Sequence, residues 1–206
     1  MDNTVGSLTQ FQKSIVLGSI LGDGYIRKIS GRKEVFLEIN HSYSQKEYVD
    51  WKYMMLKTVC RSGPKIRKGN GQRVAYRFYT RQSRDFTKLM NQFHQGKQKI
   101  IPKEIHLNPV TLAVWFMDDG SKCRDSDVYL NTQQFDYKSQ QHLLSALKTL
   151  GLDGTLNKDK HYFRIRFLKA SIPKLHMLVT RYIHPSMNYK LSYNPVETTR
   201  RSPVDR

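Results

Sequence analysis

Cysteine is nearly absent from this chain of 206 residues: Cys60 and Cys123 cannot build a disulfide framework, and neither stands in a metal-ligand spacing. That excludes a structural zinc module and fits a reducing compartment. Long apolar runs are missing as well. Nothing approaches the roughly 20 residues that a membrane span requires. Met1, Asp2, Asn3 and Thr4 lack the basic-then-apolar order of a secretory signal. The expectation is a soluble protein with no membrane partner. Acidic residues are scarce, 17 against 35 basic ones, and the seven histidines include no pair at i, i+4. What is present suffices for a core: 38% of the residues are apolar and 11% aromatic, which sets the chain apart from disordered polyelectrolytes and fibrous repeats. The length suits one domain or two small ones.

The formal charge of +18 is spread along the chain, with 19 basic and 7 acidic residues up to position 100 and 16 against 10 beyond it. A body that is positive throughout calls for a polyanion. Nucleic acid is the natural one, because each phosphate neutralised by Lys or Arg releases condensed counterions. An anionic membrane surface is the weaker reading, since no long basic amphipathic helix accompanies the charge.

The chain repeats itself. Val16–Gly24 and Leu112–Gly120 each run through seven apolar or small residues and a pair ending in Asp-Gly, 96 positions apart. After Asp23 comes a short segment, Tyr25 to Lys28, and then an alternating run from Glu34 to Ser42 with Val35, Leu37 and Ile39 on one face. After Asp119 the run Asp127 to Phe135 does the same, with Val128 and Leu130 inward and Tyr129, Asn131 and Gln133 outward. By this matching, Asp127, Tyr129, Asn131 and Gln133 stand where Glu34, Phe36, Glu38 and Asn40 stand in the first half. A helical pattern follows in each half: Tyr48, Trp51, Met55, Leu56 and Val59, then Leu143, Leu144, Ala146, Leu147 and Leu150 with Gly151 as stop.

A further strand comes next in each. Val74, Tyr76 and Phe78 face inward against Arg73, Arg77, Tyr79 and Arg81, as Phe163, Ile165 and Phe167 do against Tyr162, Arg164 and Arg166. Closing helices run from Ser83 to His94 and from Ser171 to Ile183, the latter with Ser171 as its start signal. The predicted fold is α+β, two tandem αββαββα repeats related by a pseudo-two-fold axis. The units are 1–103 (first repeat with linker) and 104–195 (second repeat), followed by a polar tail at 196–206. Gly69-Asn70-Gly71 reads as a turn ahead of a strand rather than a phosphate cradle.

Asn108-Pro109 reads as a helix cap with Pro at the first helical position, and Gly120 as a residue tolerating a left-handed stop, which puts Asp119 at the C-terminal end of a buried helix. Asp23 before Gly24 is expected in the same place. A carboxylate there faces the partial negative charge of the last carbonyls, at a cost of about 0.3–1 kcal/mol. If the two apolar helices pack together, with Gly18, Ser19 and Gly22 allowing close approach, the two poorly placed carboxylates lie side by side. Like charges a few ångströms apart raise a pKa unless a cation intervenes. A divalent ion held by Asp oxygens and helix-end carbonyls answers that need.

The two motifs, ending in Gly22-Asp23-Gly24 and Asp118-Asp119-Gly120, resemble those of the LAGLIDADG homing endonucleases in their single-chain, two-repeat form, known from yeast mitochondria. So do Lys99-Ile100-Ile101-Pro102, Trp115 to Gly120, Leu130-Asn131-Thr132-Gln133 and Met187-Asn188-Tyr189-Lys190-Leu191. The resemblance covers residues 10–193. It implies motif helices packed at the centre and two antiparallel sheets forming a saddle on the DNA major groove. It further implies that Asp23 and Asp119 are metal-binding catalytic acids, with the carbonyls of Gly22 and Asp118 as further ligands of Mg2+ or Mn2+. Lys99 and Lys190 fall where the family places a basic residue in each active site. Arg27, Lys28, Glu38, Asn40, Arg73, Arg77, Tyr79, Arg81, Lys122, Asn131, Gln133, Tyr162, Arg164 and Arg166 are the expected DNA-binding side chains. The family's name carries an acid two places before the catalytic one; here Leu21 and Met117 stand there. Asp118 has Gly22 as its counterpart, so the two active sites need not be equally fast.

The expected activity is a metal-dependent double-strand break at a long, non-palindromic DNA site, made by a monomer. The alternatives are an intron RNA maturase, with intron RNA as partner, and a non-cleaving DNA-binding protein on the same scaffold. A mitochondrion or other organelle follows from the family resemblance alone.

Overall fold

A computed structural model describes residues 7–69, 73–96, 98–124 and 127–191. The polar tail at 196–206 and the centre of the Gly69-Asn70-Gly71 turn lie outside them. The first lobe contains α1 (Gln10–Leu21), β1 (Tyr25–Lys28), β2 (Val35–Ser42), α2 (Lys46–Leu56), β3 (Lys65–Lys68), β4 (Val74–Tyr79) and α3 (Arg84–Phe93). A short hairpin of β5 (His94–Gln95) and β6 (Gln98–Lys99) leads to the second lobe. That lobe contains α4 (Pro109–Asp119), β7 (Gly120–Arg124), β8 (Asp127–Leu130), α5 (Tyr137–Thr149), β9 (Gly154–Asp159), β10 (Tyr162–Phe167) and α6 (Ile172–Val179). The sheets have matching orders, β1-β2-β4-β3 and β7-β8-β10-β9, with every pairing antiparallel. The tandem αββαββα reading is therefore borne out.

The inward faces are those the alternation predicts. Val35, Leu37 and Ile39 of β2, Tyr76 and Phe78 of β4, and Ile165 and Phe167 of β10 are buried. Local signals set the helix starts: Thr9 and Gln12 form a reciprocal capping box on α1, and Asn108 Oδ1 accepts from the Thr111 N–H at 2.9 Å ahead of Pro109. Ser83 caps α3 in the same manner. Ser171 does not cap α6. Its hydroxyl instead accepts from the Asp153 N–H at 2.8 Å, a tertiary tie that displaces the local one.

The two motif helices α1 and α4 pack directly on each other at the joint between the lobes. A Cβ on Gly18 would lie 2.6 Å from the Thr111 carbonyl oxygen and 2.7 Å from Val114 Cβ, and one on Gly22 would lie 2.4 Å from Asp118 Cβ. Glycine is needed here for close approach. The same reason governs Gly120: its φ of −67° is extended rather than left-handed, correcting the sequence expectation. A Cβ there would meet the Phe116 carbonyl oxygen at 2.4 Å.

Gly18→Ala therefore tests the interface. Helix propensity alone would stabilise the protein by about 1 kcal/mol, whereas overpacking costs about 1–3 kcal/mol. The denaturation midpoint should fall; a rise would mean that α1 and α4 do not touch at this point.

Two sequence expectations shift in the second lobe. β8 ends at Leu130 rather than continuing to Phe135, because the chain turns at 131–135 under hydrogen bonds from Asn131 N to the Asp119 carbonyl and from Phe135 N to the Thr132 carbonyl. The match between lobes also moves by two residues. Tyr25 pairs with Glu38, and Ser121, its counterpart 96 positions on, pairs with Tyr129. Glu38 thus corresponds to Tyr129 and Asn40 to Asn131.

Candidate active site and nucleic-acid surface

The C-terminal ends of α1 and α4 bring Asp23, Asp119, Lys99, Lys190, Gly22 and Asp118 together. They end differently. Asp119 is the last residue of α4, whereas α1 stops at Leu21 and Asp23 lies beyond its Gly22 cap. Asp23 is thus not in the same place on its helix as Asp119, contrary to the sequence expectation. Its N–H, outside the helical pattern, donates to Asp118 Oδ2 at 3.3 Å.

Partial burial raises the pKa of Asp23, helped by the charge of Asp118 and opposed by Lys52, Lys190 and Lys99. Burial pushes Asp119 up to about 8, with Asp23 and Asp118 adding to the shift and Lys190 and Lys99 opposing it. At both acids burial and like charge prevail over the ammoniums nearby. Lys99, on β6, is brought down to about 8 by burial against the pull of the three aspartates. Lys190 is lowered in the same way.

The two lysines are placed symmetrically. Lys99 Nζ donates to the Gly22 carbonyl at 3.5 Å and Lys190 Nζ to the Asp118 carbonyl at 2.6 Å. These are the two carbonyls expected as further metal ligands; each retains a second lone pair. Oxygen donors of this kind, two of them carboxylates with raised pKa, suit a divalent cation.

Four residues of the site carry roles that the sequence reading did not assign. Gln134, in the turn after β8, accepts from Lys99 Nζ at 3.2 Å and donates to the Leu21 carbonyl at 3.1 Å and to Asp119 Oδ2 at 3.4 Å. Lys52 and Tyr48 of α2 both reach Asp118: Lys52 Nζ lies 2.7 and 2.9 Å from its two oxygens, and the Tyr48 hydroxyl 2.8 Å from Oδ1. Burial alone would raise Asp118, but Lys52, His41 and the Tyr48 hydroxyl outweigh it and hold the carboxyl below its usual value. His41 Nδ1 donates to Gln45 Oε1 at 3.0 Å, and burial with the Lys52 charge takes its pKa down to about 4. Ligand atoms of Asp23, His41 and Asp118 all lie within 4.8 Å of one another, a cluster able to hold a divalent ion.

Two of these residues had a readable signal. Lys52 interrupts the buried stripe of Tyr48 and Leu56 at helical spacing, and His41 continues the inward alternation of Leu37 and Ile39. Gln134 had none, since a turn residue carries no periodicity.

On the sheet faces the expected DNA-binding residues separate into groups. Arg27, Lys28, Asn40, Arg73, Arg81 and Tyr162 are exposed, and Arg77, Tyr79, Arg164 and Arg166 are half-buried. Glu38 is only 2% exposed, enclosed in ion pairs with Arg27 and with Arg77 at 3.5 Å. The side chain that corresponds to it, Tyr129, instead lies under the Arg164 guanidinium, 4.0 Å from ring centroid to Cζ. Asn131 is turned to the active site, donating to the Asp119 carbonyl at 2.8 Å, and Gln133 donates to Asp159 at 2.9 Å. Lys122 reaches the Leu191 carbonyl at 3.3 Å. The edge strand β3 adds exposed Lys65, Arg67 and Lys68, which the sequence reading passed over. Lys65 stands directly opposite Arg77, and like charges at that register repel unless an anion lies over them.

Fold and site together define a class: two α+β lobes joined by paired helices, with carboxylates at the joint and a basic sheet on either side. Residues 13–175 match the LAGLIDADG DNA endonuclease family, and the chain belongs to it. It is 31% identical to the cytochrome b mRNA maturase bI2 of Saccharomyces cerevisiae over 93% of its own length, spanning about half (49%) of that protein. It is 30% identical to a probable intron-encoded endonuclease 1 of Wickerhamomyces canadensis, covering 91% of this chain and 87% of that one. Among solved structures it is similar to the homing endonuclease I-WcaI bound to its DNA recognition sequence, with a TM-score of 0.84 at 28% identity, covering 91% of this chain and 88% of that one.

Proposed function

We propose that this protein is a metal-dependent homing endonuclease that acts as a monomer and makes a double-strand break in a long, non-palindromic DNA site. The observation that carries the reading is the pair Asp23 and Asp119, both with raised pKa, set at the joint of the two motif helices and flanked by Lys99 and Lys190. A divalent ion of the Mg2+ or Mn2+ type, bound there, would supply Lewis acidity and an activated water at the scissile phosphate. Asp23 and Asp119 would hold it, with the Gly22 and Asp118 carbonyls completing the oxygen set. Lys99 and Lys190 place an ammonium beside each acid to stabilise negative charge developing on a phosphate.

The basic sheet faces supply the phosphate contacts, and their unlike side chains the base readout. Arg27, Lys28, Arg73, Arg77, Arg81, Arg164 and Arg166 serve the backbone and guanine edges; Asn40, Tyr79 and Tyr162 serve other base edges. Glu38 serves indirectly by orienting Arg27 and Arg77. Asn131, Gln133 and Lys122 take part with the hydrogen bonds described above as their resting state. The repeats correspond to 1–103 and 104–195, with 196–206 as a tail. An organelle, the mitochondrion first, is the proposed location.

Incubation with Mg2+ or Mn2+ and a randomised duplex library tests the function, since only an endonuclease leaves new ends. The selected site should lack two-fold symmetry, because Glu38 and Tyr129 present different chemistry at equivalent positions. Sedimentation should show one chain per duplex. A clean palindrome, or two chains per duplex, would overturn the single-chain reading. The maturase name of the yeast relative favours a second activity on folded intron RNA, seen as RNA binding without ends.

Lys99→Met and Lys190→Met should each slow single-turnover cleavage about 10²-fold, the usual loss for one placed donor to developing charge, while changing DNA affinity little. Wild-type rates in both variants would reduce these lysines to ordinary phosphate contacts.

A further inference from the structure

Lys52 is an enclosed cation that the proposed chemistry does not use. Its side chain and that of Asp118 are both 0% exposed, and it reaches from α2 of the first lobe to the end of the second lobe's motif helix. There it neutralises a carboxylate that has no counterpart, since Gly22 stands in the equivalent place. The space admits only one such side chain, a Gly22 Cβ being 2.4 Å from that of Asp118. Asp118 in turn accepts the Asp23 N–H at 3.3 Å and the Tyr48 hydroxyl at 2.8 Å. The Asp23 N–H has left its helix and takes this partner across the interface, whereas Asp119 is held as the last residue of α4.

We propose that Lys52 is a positioning residue for one active site alone: by gripping both oxygens of Asp118 and holding that carboxylate against the Asp23 N–H, it fixes the catalytic acid of the first repeat and leaves that of the second untouched. His41, 3.5 Å from Lys52 Nζ, and Tyr48 complete the enclosure. The two strands of a bound duplex then depend on Lys52 unequally. This rests on the endonuclease reading, but half of its test does not.

Amide hydrogen exchange in the metal-free protein reads the positioning directly. Lys52→Met leaves a buried carboxylate without its cation. Exchange at the Asp23 N–H should speed up at least tenfold, with that at Asp119 unchanged. Lys52→Met combined with Asp118→Asn removes both charges and keeps an acceptor oxygen, so protection at Asp23 should return. The double variant also covers the case in which the single one does not fold. Strand-resolved single-turnover nicking of the selected duplex is the second readout. Lys52→Met should slow the strand that Asp23→Asn affects more by about 100-fold and the other strand by less than tenfold, and the double variant should recover at least tenfold of that loss.

Equal slowing of both strands, equal exchange at both aspartates, or no recovery in the double variant would overturn the proposal and leave a structural ion pair. A wild-type protein that cuts no duplex would overturn the endonuclease reading and leave the exchange result standing.

Discussion

Asp23→Asn and Asp119→Asn are each expected to abolish double-strand cleavage while leaving DNA affinity within a few-fold of wild type. Either substitution removes a carboxylate from a cluster in which burial and the neighbouring aspartates raise the pKa of both acids. The fold should tolerate it, because neither side chain takes part in the core: that of Asp23 is 48% exposed, and Asp119 lies at the half-open end of α4. Metal-assisted stabilisation of a phosphoryl transition state is worth several kcal/mol, and about 4 kcal/mol corresponds to a roughly 10³-fold loss of rate. The sheet faces carry the affinity and are unchanged. Binding and cutting should be measured side by side on one duplex, with both strands end-labelled. A nicked product in one variant is compatible with two unequal sites. Full double-strand cleavage by either variant would remove Asp23 and Asp119 from the metal site.

Withholding Mg2+ and Mn2+ from the wild-type protein should reproduce the phenotype of these variants. What separates the two experiments is Asp118. Its carboxylate is already paired with Lys52 at 2.7 Å, so Asp118→Asn should break a buried ion pair and bring a loss of stability that the Asp23 and Asp119 variants do not show, in addition to any loss of metal binding. The geometry thus distinguishes two adjacent aspartates that the motif alone presents as equals.

The repeat, the strand faces and the two aspartates at the motif ends were legible because each rests on a local signal: an alternation of period two, an apolar helix closed by Asp-Gly, a cap at Asn108. What escaped was set by contacts that residue periodicity does not encode. Gly120 looked like a left-handed stop but is dictated by the Phe116 carbonyl 2.4 Å away from any added Cβ. Ser171 looked like a cap but serves Asp153. The run through Phe135 looked like strand, yet the turn at Asn131 closes over the end of α4. The register between lobes could not be read because loop lengths differ, and a two-residue shift preserves the inward and outward faces. Lys52 had a signal, a charge within a buried stripe, whose meaning depended on Asp118, 66 positions away.

DNA affinity should fall steeply with salt. In the first lobe Lys65 lies directly opposite Arg77, and Arg27 and Lys28 stand exposed on β1. A cleft beyond the sheet is lined by Arg32, Arg61, Arg81, Arg84 and Lys88. In the second lobe Arg164 and Arg166 project from β10 beside Asn157 and Thr155. The acids on these surfaces are engaged: Glu38 with Arg27 and Arg77, Asp127 with Arg166, Glu34 with Arg84 and the Thr87 hydroxyl, and Asp85 with the Leu8 N–H. A protein that neutralises about 6–10 phosphates loses on the order of 10³–10⁵ in affinity between 50 and 200 mM salt, and that is the expected range here. Lys65→Ala should weaken binding about equally on all sequences and reduce the slope of log affinity against log salt by about one. Glu38→Gln should leave the slope nearly as it is but relax base preference, because two arginines lose their common anchor. A flat salt dependence would take the sheets out of the binding surface. A slope that changes with Glu38→Gln and not with Lys65→Ala would show that the phosphate path runs along β1 and β2 rather than along the β3 edge.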